Sequence, residues 1–155
     1  MTRSQPADGT DRTVSLLTRR TIRASAERLF AAWTEPAQLR QWWGPEGVVC
    51  PEAEIDLRVG GGYRIANRFP DGRVVWIVGE FRQVLPPREL VYTWRLEPPS
   101  AESDDTRVTV HFEPRGAATE VIVLHERFTS LAFRDSTQAG WRDCLQRLAD
   151  YLGRA

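Results

Sequence analysis

One stretch near the end of the chain limits what the rest can be. Gly140 to Leu152 reads G-W-R-D-C-L-Q-R-L-A-D-Y-L, and Trp141, Cys144, Leu145, Leu148 and Leu152 recur at helical spacing. They make one apolar stripe, with Arg142, Asp143, Gln146, Arg147 and Asp150 on the other side. A helix of this kind draws its stability from whatever covers the stripe. Between about Ala53 and Phe128 the chain is patterned as strands. The expected architecture is therefore a sheet that grips a C-terminal helix.

The 155 residues suit one domain with a core large enough to fold alone. All 21 basic residues are arginine, and 21 acidic residues balance them. A zero net charge gives no global field to draw in nucleic acid or an anionic membrane, and neither partner is expected. Without lysine there is no Schiff-base chemistry, pyridoxal aldimine or P-loop lysine. Two cysteines, Cys50 and Cys144, make neither a disulfide framework nor a zinc site. No secretory signal and no membrane-spanning apolar run is legible, so a cytoplasmic protein with reduced thiols is expected.

Taken in order, Met1 to Arg12 reads as a disordered tail and residues 13–154 as one folded domain. Thr13 to Ile22 reads as an edge strand. Ala24 to Thr34 is a helix with Ser25 as its N-cap, Glu27 in the first turn and Leu29, Phe30 and Trp33 on the buried side. Pro36 opens a second short helix, which carries Leu39, Trp42 and Trp43 and stops at Gly44-Pro45. Strands are then expected at Ala53 to Val59, Tyr63 to Phe69, Val74 to Val84, Leu90 to Leu96, Thr106 to Phe112 and Thr119 to Phe128. Gly60 to Gly62, Pro70-Asp71-Gly72, Pro86-Pro87 and Gly116 separate them, and Glu97 to Asp105 is a polar loop. Consecutive strands with short turns favour an antiparallel meander, and the class is α+β.

The run W-T-E-P-A-Q-L-R-Q-W-W-G-P (Trp33 to Pro45), D-L-R-V-G-G (Asp56 to Gly61), Asp71-Gly72, Gly79 to Phe81 and the closing G-W-x-x-x-L-x-x-L-x-x-Y-L (Gly140 to Leu152) together resemble the activator of heat-shock protein 90 ATPase homologue family. That family lies within the START-like, or SRPBCC, superfamily. The resemblance extends from about Val14 to Leu152. It implies a helix-grip fold: a curved antiparallel sheet of about six or seven strands around a long C-terminal helix, with two short helices after the first strand. Superfamily members include carriers of hydrophobic ligands, polyketide cyclases, self-sacrificing resistance proteins and a co-chaperone domain. The related co-chaperones carry a further N-terminal domain that contributes to chaperone binding. Twelve tail residues do not replace it, so a chaperone partner is not expected.

Such a fold leaves a gap between sheet and helix. Its expected wall is Trp42, Trp43, Tyr63, Ile65, Phe81, Tyr92, Trp94, Val110, Phe112, Val123, His125, Trp141 and Leu145. Rigid rings around a concave site suit a flat, apolar or aromatic molecule. Each ring could equally be filled core. His125 shares its strand face with Val121 and Val123 and is the one polar candidate, as a ligand hydrogen-bonder or an acid-base group. Its ordinary alternative is a histidine satisfied by its neighbours. His111 falls on the opposite face, so the two histidines make no metal site, and no cofactor is expected. Trp76 and Val78 alternate outward and would offer an apolar patch for a homodimer. The leading expectation is non-catalytic binding of a small hydrophobic molecule. The alternatives are a cyclase, dehydratase or hydrolase of a polyketide-like substrate using His125, and a module that modulates a chaperone ATPase.

Overall fold

The computed structural model describes residues 13–99 and 105–153. The expected disordered tail lies outside the described residues. The elements run β1 (Val14–Ile22), α1 (Ala26–Thr34), α2 (Pro36–Trp42), β2 (Ala53–Ile55), β3 (Gly62–Arg68), β4 (Val74–Leu85), β5 (Glu89–Glu97), β6 (Thr106–Arg115), β7 (Ala118–Phe128) and α3 (Leu131–Gly153). The strands form one antiparallel seven-stranded sheet in the order β1-β7-β6-β5-β4-β3-β2. The first two strands in sequence thus lie at opposite edges, and α1 and α2 carry the chain from one edge to the other. The sheet curves around α3.

Local chemistry sets the helices. The Ser25 hydroxyl accepts from the Arg28 backbone N–H at 3.1 Å, capping α1. Pro36 begins α2, where its missing N–H has no helical partner to lose. Trp42 is fully buried, and its indole donates to the Ala32 carbonyl at 3.0 Å. On α3 the buried residues are the stripe read from the sequence: Trp141, Cys144, Leu145, Leu148 and Leu152.

Four details differ from the sequence expectation. α3 begins at Leu131, well before Gly140. Its first half is rich in Ser, Thr and charge and has no stripe, so periodicity could not reveal it. Ser130 starts it by accepting from the Phe133 N–H at 3.1 Å. Second, the expected Ala53 to Val59 strand stops at Ile55. A turn follows, in which the Gly61 N–H donates to the Arg58 carbonyl and Gly60 takes φ 86°. A Cβ on Gly61 would lie 2.2 Å from the Asp56 carbonyl oxygen, so this turn requires glycine. Third, Trp43 is not helical: it caps α2 in extended conformation, and both it and Trp42 are buried. Fourth, the outward apolar patch is not open. Val78 is only 5% exposed, because its cross-strand partners Arg64 and Arg95 lay their stems beside it. Arg64 also stacks over Trp76, 4.1 Å from the ring centroid.

Near the end of β7 the alternation is deliberately broken. Val14 faces Phe128 but Leu16 faces His125, so β7 carries one extra residue. Arg127 absorbs it at φ 77°, an uncommon conformation for a residue with a side chain. The bulge returns Phe128 to the inner face, with its ring 4.5 Å from that of His125.

Candidate functional site

Between the sheet and the first half of α3 lies an open cleft of about 490 Å³. Its floor and one side come from the inner face of the β3–β4 hairpin and β5: Asn67, Phe69, Arg73, Val75, Ile77, Trp94 and Leu96. α3 supplies Ser136, Thr137, Gly140, Trp141 and Cys144, and the segment after α2 supplies Trp43 and Pro45. Arg147, on the polar side of α3, holds that segment. One of its guanidinium nitrogens lies 2.8–3.2 Å from the carbonyls of Gly44, Pro45 and Val48.

The expected wall residues fall into three groups. Trp43, Trp94 and Trp141 line the cleft. Tyr63, Ile65, Phe81 and Tyr92 gather with Trp33 around a second space of only about 20 Å³, room for a single water. Trp42, Val110, Phe112, Val123, Leu145 and His125 are packed core, all at 0–1% exposure, and do not reach the cleft. Half of the space under the helix is thus filled by aromatic packing. The open half lies nearer the hairpin. Asn67, Phe69, Val75 and Leu96 escaped the sequence reading although the same alternation selects them: they continue the faces of Ile65, Ile77 and Trp94. The Thr137 and Gly140 contributions were hidden because that half of α3 carries no stripe.

His125 is locked rather than poised. The Trp141 indole N–H can only donate, and it donates to His125 Nδ1 at 3.1 Å. The imidazole proton therefore sits on Nε2 and is donated to the Thr106 hydroxyl at 2.7 Å. Thr106 in turn donates to the Trp94 carbonyl at 2.9 Å. Burial disfavours the charged ring and lowers its pKa to about 3. No lone pair is left for a ligand, so the chain positions Trp141 instead. Trp141 is further fixed by stacking on Trp33 at 5.9 Å and by an edge contact with Trp43 at 5.4 Å.

Other nucleophiles and acids are equally quiet. Burial pushes the Cys144 thiol up to about 12, so it is not a thiolate at neutral pH. Burial likewise raises Tyr92 and Tyr63, and the Arg95 charge near Tyr63 does not offset its rise. Among the described residues no group of His, Cys, Asp and Glu could hold a metal ion. No described helix is long and apolar enough to cross a membrane.

A curved sheet gripping a long helix over an apolar cleft defines a START-like domain, a fold that in general binds ligands. The model of the family described as "Activator of Hsp90 ATPase homolog 1-like protein" matches residues 23–153, and the chain belongs to that family. Among solved structures, a Chromobacterium violaceum protein superposes with a TM-score of 0.81 at 26% identity, covering 88% of this chain and 94% of its own. An AHSA1 protein from Silicibacter pomeroyi gives 0.79 at 26% identity, covering 90% and 98%. An Arthrobacter aurescens protein, at 24% identity and a TM-score of 0.80 over 91% and 87%, shares the fold. No functionally curated protein matches the sequence significantly.

Proposed function

We propose that this protein binds a small, flat, hydrophobic molecule in the cleft between sheet and α3, and does not transform it. The observation that carries this reading is an open space of about 490 Å³ walled by Trp43, Trp94 and Trp141, beside which the aromatic space around Tyr63, Phe81 and Tyr92 measures only about 20 Å³. The volume lies in the range of small-molecule sites, and rigid rings offer apolar area at little entropic cost. Catalysis by His125 is disfavoured by its saturated hydrogen bonds and by its absence from the cleft wall.

The test is native mass spectrometry of the protein purified from its own host, followed by release of bound small molecules. A wild-type protein carrying an apolar molecule near unit stoichiometry, and a Gly140→Phe variant that folds but carries none, would support the reading. A Cβ at Gly140 meets only Pro45, at 3.9 Å, so the added ring has room to grow into the cleft. Equal loading of both proteins would refute this location for the site.

A further inference from the structure

The polar groups of the cleft specify more than an apolar ligand. Asn67 is 9% exposed and stands on the cleft floor. Its side-chain oxygen is already committed, accepting the Trp43 indole N–H at 3.0 Å. That bond fixes the amide orientation and leaves Nδ2, with two N–H donors, without a partner among the described residues on a side chain that lines the cleft. Arg73 is the one charged residue among the described residues that line the cleft. It lies over Phe69, 4.5 Å from the ring centroid, and has no carboxylate partner among the described residues. The nearby Asp71 is turned to the hairpin backbone, accepting the Arg73 N–H at 2.9 Å. Trp94, on the same wall, has a buried indole N–H with no partner. On the sheet side of the cleft the uncommitted groups are thus donors, whereas on α3 the Ser136 and Thr137 hydroxyls spend their protons on the Phe133 carbonyl; no Asp or Glu is among the described lining residues.

Asn67 and Arg73 also share one face of one hairpin. Asn67 pairs with Val75, and the next inward pair toward the turn is Phe69 and Arg73. One step along that face is about 7 Å, within the reach of an arginine side chain. A neutral amide donor thus sits inside the cleft, and a guanidinium sits at its hairpin end.

We infer that the ligand is an apolar, ring-containing carboxylate. Its rings lie among Trp43, Trp94 and Trp141, and its anionic head takes hydrogen bonds from Asn67 Nδ2 and Arg73. A carboxylate only accepts hydrogen bonds, which matches the donors that Asn67 and Arg73 offer at the hairpin end of the cleft, and the guanidinium supplies the counter-charge. A cationic or donor-rich ligand would leave Asn67 unsatisfied and would face Arg73 with like charge. This inference rests on the cleft being the ligand site.

The test uses three probes with one ring system: naphthylacetate, naphthylethanol and naphthylethylamine, titrated at neutral pH and followed by NMR of the indole and side-chain amide signals. Naphthylacetate should bind about tenfold more tightly than the alcohol, the scale of one charge-assisted hydrogen bond, and the amine should bind weakest. Arg73→Gln should weaken acid binding several-fold more than it weakens alcohol binding. Asn67→Asp keeps an oxygen for Trp43 but replaces the donors with negative charge, and it should favour the amine. Equal affinity for acid and alcohol, or an acid preference that survives both substitutions, would overturn the head-group inference while leaving the apolar cleft. No binding of any of the three at millimolar concentration would overturn the cleft as a ligand site.

Discussion

Inside the folded protein His125 stays uncharged because burial and the Trp141 donor together refuse it a second proton. The unfolded chain accepts that proton near pH 6.5, whereas the folded protein resists until about pH 3. Between these values the unfolded state binds more protons, so this group's contribution is complete above pH 6.5 and is lost as pH falls. The expected loss is about 1.4 kcal/mol per pH unit, levelling off near the folded value. Urea midpoints measured from pH 7.5 to 4.5 should fall less steeply in His125→Gln than in the wild type. Parallel slopes would mean that His125 already ionises in the folded state. The parity of β7 placed this side chain inward from sequence alone. Its partners were not legible, because they come from β6 and α3, nineteen and sixteen residues away in sequence.

At the scale of elements, α3 is two helices in one. From Trp141 onward, apolar spacing decides where it lies, and that half was legible in the sequence. Before it, one ring, Phe133, packs against Phe128 at 5.8 Å, and the other ties are polar: Arg134 donates to the Ser15 carbonyl at 2.9 Å and Gln138 to that of Leu17 at 3.2 Å. These bonds also occupy carbonyls of the edge strand β1, which would otherwise be open to pairing with another chain. Such ties depend on where the strand edge runs in space, which no periodicity encodes. Gly140 sits at the junction, in the helix interior, where glycine costs about 1 kcal/mol relative to alanine. An added methyl would make only an ordinary contact with Pro45. Gly140→Ala should therefore raise Tm by about 2–4 °C in a thermal melt. It should also reduce affinity for naphthyl probes, since the cleft loses volume at that wall. An unchanged or lower Tm would show that the glycine relieves strain absent from this geometry.

For the whole molecule, the order of elements and the inward faces of β5, β6 and β7 followed from hydrophobic alternation. The division of the interior into a packed half and an open half did not. Tyr63, Phe81 and Tyr92 have the same parity as Trp94, yet they close on one another with ring centroids 5.2–5.8 Å apart. The α1–α2 segment decides this, because Trp33 reaches Tyr92 from above, its indole donating to the phenol oxygen at 3.4 Å. Alternation tells which way a side chain points but not how far away the opposite wall stands.

The uneven anchoring of α3 has a kinetic consequence. The buried residues of this helix all lie at or beyond Trp141, while the cleft borders Ser136, Thr137 and Gly140. The wall beside the cleft is thus expected to open at lower cost than the turns from Trp141 onward. Backbone amides from residue 135 to 140 should exchange with deuterium at least tenfold faster than those from 144 to 150, and a saturating ligand should slow the first group selectively. Traffic into and out of the interior would then be timed by the fraying of a few helical turns. The sheet could remain still throughout, and a ligand's residence time would be set by a stretch of chain that contributes little to its affinity.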